Sequence, residues 1–130
     1  ARQVIENAVA LADALSREGM RPVSGGTDTH LVLVDLSETG VTGKEAEMRC
    51  DQVSITLNKN PIPYDPLPPM TASGIRVGTP ATTTQGMTVA EMKDVGGLIA
   101  RAVKDLDGTG LAAVRSEVSE LVARFPAYAR

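Results

Sequence analysis

The chain has 130 residues, a formal net charge of −3 and 42% hydrophobic residues, which describes one globular domain able to bury a core without staples rather than a disordered segment. One Phe, two Tyr and no Trp leave the core to aliphatic side chains and provide no stacking platform for single-stranded nucleic acid; with no basic cluster, the electrostatic footprint of a nucleic-acid binder or a polybasic membrane patch is missing as well. The single Cys50 excludes an internal disulfide and a cysteine-based zinc site, no apolar run approaches the ~20 residues that span a bilayer, and a mixed charged and apolar start unlike a secretory leader makes a cytoplasmic protein the simplest expectation.

Helical periodicity opens the chain: Val4, Ala8, Leu11 and Leu15 share one face, with Ile5, Val9 and Ala12 alongside. The pattern predicts a helix from Arg2 to Glu18, stopped by Gly19, a natural residue for a left-handed helix end. The helix is already running at Val4 with neither Met nor a cap before it, so it reads as cut from a longer one. A short strand follows at Arg21–Ser24, then a turn through Ser24-Gly25-Gly26-Thr27-Asp28-Thr29, then a β-branched strand from His30 to Leu36.

Thr42-Gly43-Lys44-Glu45 is a capping box that opens a second helix to about Val53. Ser54–Leu57 reads as a strand, and Asn58–Ser73 as a loop, because Pro61, Pro63, Pro66, Pro68 and Pro69 lie in it and proline suits neither a central strand nor a helix interior. A stiff loop of that length in a small domain points to function. Gly74–Gly78 is a strand and Thr79–Gly86 a Thr-rich turn. Thr88-Val89-Ala90-Glu91 caps a third helix with Val89, Met92, Val95, Ile99, Val103 and Leu106 on one face; Asp107–Gly110 breaks it, and a last helix carries Leu111, Val114, Val118, Leu121, Val122 and Phe125. The order of elements predicts an α+β fold, a small antiparallel or mixed sheet covered by helices on one side.

Arg76, within Ser73-Gly74-Ile75-Arg76-Val77-Gly78-Thr79-Pro80, is the most informative residue. Its small and apolar neighbours suggest a guanidinium emerging from a strand into a walled site, where it matches a carboxylate with two parallel hydrogen bonds; the plainer alternative is an edge-strand arginine with its head in water. Asn60, ahead of Pro61, is biased to extended geometry and could read a polar ring edge as donor and acceptor, or simply belong to a turn. Lys59 lacks the apolar surroundings that a Schiff-base lysine needs. His30 and Asp28 have no second His or Cys to complete a metal set, and Gly25-Gly26 lacks the spacing of a phosphate loop.

Three segments in order resemble one family. Arg21-Pro22-Val23-Ser24-Gly25-Gly26-Thr27-Asp28-Thr29-His30-Leu31-Val32-Leu33-Val34-Asp35-Leu36 is similar to the signature near the start of the serine hydroxymethyltransferase small domain. Asn58-Lys59-Asn60-Pro61-Ile62-Pro63-Tyr64-Asp65-Pro66 is similar to its proline-rich folate-side loop, and Ser73–Ala81 to its substrate-arginine strand. The resemblance implies the C-terminal small domain of a pyridoxal-phosphate enzyme of the aspartate-aminotransferase fold, with residues 1–18 the tail of an interdomain helix and the large cofactor-binding domain outside this chain. It implies transfer of the one-carbon unit of serine to tetrahydrofolate, giving glycine and 5,10-methylenetetrahydrofolate. Arg76 would hold the substrate α-carboxylate, Asn60 would hydrogen-bond the pterin, and Pro68, Pro69 and Met70 would contact the folate by backbone and shape. The pyridoxal phosphate would be bound mainly by the large domain, and the partners would be that domain and further copies of the enzyme in a dimer or tetramer, with neither nucleic acid nor membrane.

Two positions depart from the family pattern: Thr29 replaces the usual Asn, and Ser54 the usual Gly. Lys44, Lys59, Lys93 and Lys104 all lack the Thr-His-Lys context of the family's Schiff-base lysine, so no catalytic residue is expected in this chain and the isolated chain is expected to be inactive. Two other readings remain at this level: a stand-alone binding module with Arg76 as anion anchor, and an interaction domain that uses the last two helices.

Overall fold

A computed structural model describes residues 2–23, 31–78, 87–105 and 108–124. Helix α1 spans Arg2–Arg17 and buries Ala8, Leu11, Ala12 and Leu15, while Ile5 and Val9 stay exposed. It ends in a Schellman motif: Gly19 N–H bonds to the Ser16 carbonyl at 3.1 Å and Met20 N–H to that of Leu15 at 3.0 Å, with Gly19 at φ 85°, a region glycine enters without steric cost. Met20 then drops into the core and the chain enters β1, Arg21–Pro22.

Strand β2 is described over Leu31–Asp35 and stops one residue short of the expected Leu36, while His30 lies outside the described residues. A 3-10 turn at Ser37–Thr39 leads to α2, Gly43–Gln52, where Thr42 and Glu45 form the expected reciprocal capping box. The strand expected at Ser54–Leu57 does not form. Ser54 N–H bonds to the Asp51 carbonyl at 3.1 Å and Ile55 N–H to that of Cys50 at 2.9 Å, so this stretch is the Schellman end of α2. Ser54 sits at its left-handed position, φ 68°, which explains why a glycine suits the site better. Pairing begins instead at β3, Asn58–Asn60, inside the segment expected to be all loop. The three residues before Pro61 carry their N–H groups, and β3 pairs on one side only, so the prolines that follow cost no ladder bond.

β4, Gly74–Gly78, completes an antiparallel sheet of order β1-β2-β4-β3. Arg76 lies opposite Leu33 on one side and Asn58 on the other, so it occupies a central strand rather than an edge. Helices α3, Val89–Lys104, and α4, Leu111–Arg124, close the described chain. Val114, Val118 and Leu121 are the buried residues of α4; Val122, and Val89 at the first turn of α3, are exposed, against expectation. The predicted turn at 79–86 and the residues Leu106 and Phe125 lie outside the described residues.

The sheet's inner residues Val32, Val34, Ile75 and Val77 join Leu11, Leu15, Met92, Ile99 and Val103 in one aliphatic core. Two close approaches set the layers. A Cβ on Gly96 of α3 would come within 2.7 Å of the Ala14 Cβ on α1, and a Cβ on Gly43 would collide with the Gly74 carbonyl oxygen. The fold is thus the expected α+β arrangement, with helices on one face of a small antiparallel sheet.

Candidate functional site

Side chains alternate across a strand, so the inward Ile75 and Val77 force Arg76 outward. Residues paired directly opposite share its face: Leu33 and Asp35 on β2, Asn58 and Asn60 on β3, and Arg21 on β1. The open face therefore gathers Arg76 with both asparagines. Arg76 and Asn58 are exposed, while Leu33 and Asn60 are half-buried. Asn60 is paired with Gly74, one diagonal step from Arg76, a separation of roughly 7–8 Å. Its Nδ2 donates to the Pro61 carbonyl at 2.9 Å.

Two arginines share this face in different states. Arg21 donates to Asp35 Oδ2 at 2.8 Å, and that hydrogen bond with the adjacent negative charge raises its pKa. Burial pushes the Asp35 carboxyl up, but the hydroxyl and backbone N–H of Ser37 together with Arg21 outweigh this and hold it below the usual carboxylate range. Arg76, by contrast, has neither an ion pair nor a side-chain hydrogen bond among the described residues. It is a cation held by a central strand with its hydrogen-bonding capacity unspent, suited to a carboxylate or another planar anion.

The loop after β3 is stiff for a reason not read from the sequence. Asp65 Oδ2 accepts the N–H groups of Ile62 at 3.2 Å and Ser73 at 2.8 Å, while Oδ1 accepts the Leu67 N–H at 2.8 Å and the Ser73 hydroxyl at 2.7 Å. Partial burial pushes this carboxyl up, but the four donors prevail and hold it at about 2. The available signal was the Asp65-Pro66 pair, a turn-initiating dipeptide whose carboxylate bonds two residues on. Pro68, Pro69 and Met70 are exposed on the same loop, Met70 at 75%, in a turn where the Pro68 carbonyl accepts from Thr71 and Ala72.

The walled pocket expected around Arg76 is not supplied by the described residues. A cavity of about 280 Å³ lies elsewhere, among Leu11, Ser54, Met87, Val118 and Val122, and an open groove of about 620 Å³ runs between α3 and α4, past Lys93, Arg101 and Glu117. Neither is lined by Arg76 or Asn60. Lys59 is held by Glu47 through both its backbone N–H at 3.0 Å and its Nζ at 3.4 Å, Lys104 lies 3.6 Å from Glu18, and Lys44 and Lys93 are exposed. Burial pushes the Cys50 thiol up to about 12, so it is no nucleophile. Among the described residues no cluster of His, Cys, Asp or Glu could hold a metal, and no helix is long and apolar enough to cross a membrane. Asp28, His30 and the Gly25-Gly26 turn lie outside the described residues.

Comparison with known proteins bears on this geometry. The family model of serine hydroxymethyltransferase matches residues 1–99, a span that includes the whole sheet and the loop after β3. A serine hydroxymethyltransferase of Myxococcus xanthus (strain DK1622) is 55% identical over 129 residues, covering 98% of this chain. The chain spans 31% of the length of that relative. An arginine on a central strand with no ion pair among the described residues, two asparagines beside it and a carboxylate-braced proline loop thus lie in a chain that belongs to the serine hydroxymethyltransferase family.

Proposed function

We propose that this chain is the C-terminal small domain of a pyridoxal-phosphate-dependent serine hydroxymethyltransferase, interconverting serine plus tetrahydrofolate with glycine plus 5,10-methylenetetrahydrofolate. In this reading its task is to bind and orient. The observation that carries it is Arg76, a guanidinium on a central strand with no ion pair among the described residues, opposite Asn58 and one step from Asn60. Such a group meets the α-carboxylate of serine or glycine with two parallel hydrogen bonds. Gripping the carboxylate in the guanidinium plane limits rotation of the amino acid about its α-carbon, so the bond to be broken is presented in one orientation. Asn60, with Pro68, Pro69 and Met70, faces the pterin.

Lys59 and Lys104 lie against carboxylates and Lys44 and Lys93 are exposed, which supports the reading that the large domain would bring pyridoxal phosphate and close the open face. The same closure would supply the missing wall around Arg76 and exclude water from its contact with substrate. Further copies of the enzyme, in a dimer or tetramer, would complete the assembly.

A charged hydrogen bond contributes roughly 1.5–3 kcal/mol, so loss of Arg76 costs at least about tenfold before any orientation effect. In the full-length enzyme Arg76→Ala should abolish serine turnover while cofactor stays bound; wild-type-like turnover would sink the carboxylate role. Asn60→Ala should weaken tetrahydrofolate more than serine, whereas equal loss of both would indicate a folding defect. Titration of the 130-residue chain with pyridoxal phosphate should give no borohydride-reducible adduct. A stoichiometric one that responds to glycine would place a cofactor site within this chain.

A further inference from the structure

We propose that Asp65 is a positioning residue for the folate side of the site: its carboxylate ties the two ends of the 61–73 loop together and so sets where Asn60 and Pro68-Pro69-Met70 stand. The proposal rests on the reading that this loop faces tetrahydrofolate. Asp65 Oδ2 receives Ile62, two residues after Asn60, and Ser73, the residue before β4, on one oxygen atom. Oδ1 holds Leu67, at the approach to Pro68, together with the Ser73 hydroxyl. A single side chain thus reaches the start, middle and end of the loop. From outside, the carbonyls of Thr71 and Ala72 accept the first N–H groups of α2, from Lys44 and Gly43, at 2.9 Å each.

The middle of the loop adds little to the core: Ala72 is buried and Ile62 and Leu67 are half-buried, but the rest of its apolar surface faces outward. Pro61, Pro63, Tyr64, Pro66, Pro68, Pro69 and Met70 are all exposed, so the ordered loop buries little apolar surface to offset its conformational entropy. It also holds two non-glycine residues in the left-handed region, Tyr64 and Ala72, each at φ 58°. Such strain persists where surrounding bonds over-determine the backbone, and it gathers at binding sites. An acceptor-only carboxylate fits four converging donors, whereas an amide would set its own NH2 against at least one of them.

The test uses the full-length enzyme and compares Asp65→Asn, Ser73→Ala and Asn60→Ala for tetrahydrofolate KM, serine KM and thermal midpoint. Asp65→Asn should raise the tetrahydrofolate KM about tenfold or more, the equivalent of one or two charged hydrogen bonds, with serine KM changed less than about twofold. Ser73→Ala should move the same quantity in the same direction by less. An unchanged tetrahydrofolate KM in Asp65→Asn, alongside a raised one in Asn60→Ala, overturns the positioning role and leaves the folate reading standing. If Asn60→Ala also leaves it unchanged, the folate reading fails and this inference fails with it. Parallel loss of serine and tetrahydrofolate affinity with a lowered thermal midpoint overturns it too, by showing a structural role only. Should Asp65→Asn fail to fold, Ser73→Ala decides: a selective rise in tetrahydrofolate KM supports the role, and no rise overturns it.

Discussion

The two faces of the sheet are made by the same short strands and answer to different demands. On the inner face Val32, Val34, Ile75 and Val77 are buried against the helices. On the outer face Leu33, Arg76, Asn58 and Asn60 are exposed or half-buried, and the buried Asp35 is held by Ser37 and Arg21. Arg76 stands between two buried positions and is itself exposed. A slip of one residue in β4 would exchange the faces, placing Arg76 in the core and Ile75 in water. Burial of Ile75 and Val77 therefore aims the arginine, and stability and ligand chemistry should separate residue by residue.

The sharpest test of that separation compares neighbours. Ile75→Ala should cost about 2–5 kcal/mol of stability through lost burial and the cavity left behind. Arg76→Ala should stay within about 0.5 kcal/mol, as expected for a surface change without lost partners. Urea denaturation of the chain measures both, and similar losses at the two positions would break the comparison. At the boundary between the faces, α2 lends its first N–H groups to the loop, so Thr42→Ala should cost about 1 kcal/mol by removing the cap. It should also loosen the loop near Thr71, which amide hydrogen exchange reads.

Two smaller effects sharpen the contrast. Ser54 holds the left-handed position at the end of α2 that Gly19 holds at the end of α1. Ser54→Gly relieves a backbone strain that costs roughly 1–2 kcal/mol, partly offset by glycine's greater freedom when unfolded. A net gain of about 0.5 kcal/mol or more is expected in the denaturation midpoint, with serine KM unmoved. A fall in stability would show that the serine side chain contributes there. Acid acts on the loop. The Asp65 carboxyl titrates at about 2 when folded, below its ordinary 3.8. Its contribution is complete above pH ~4 and is lost as pH falls toward ~2, because the unfolded chain takes up the proton first. The Asp65 carboxyl resonance followed by NMR should titrate near the lower value; a midpoint near 4 would mean that its four bonds do not hold it in solution.

Much of the scaffold was legible because its signals are local. Thr42 with Glu45, and Thr88 with Glu91, lie three residues apart and mark the starts of α2 and α3; Gly19 marks the end of α1. Where a local preference competes with a neighbouring element, the reading fails. Ser54-Ile55-Thr56-Leu57 has strand-like composition, but the carbonyls of Cys50 and Asp51 claim its first N–H groups. β3 was masked by the prolines behind it, although its three residues contain none. The role of Asp65 is not legible locally because its partners are two, three and eight residues away, and only the folded loop brings their donors onto one carboxylate. Arg76 and Asn60 were singled out by neighbours and family resemblance, yet nothing local said that they share a face.

The sequence by itself determined the α+β class, the aliphatic core, the helix boundaries set by caps and glycine, and the family, because composition, periodicity and motifs are properties of contiguous residues. Only the tertiary structure decided that Arg76 sits on a central strand without an ion-pair partner among the described residues, that Asn58 and Asn60 stand beside it on β3, and that Asp65 braces the loop that follows them. Those facts depend on strand order and register, which are settled by burying one face of the sheet against helices far away in the chain.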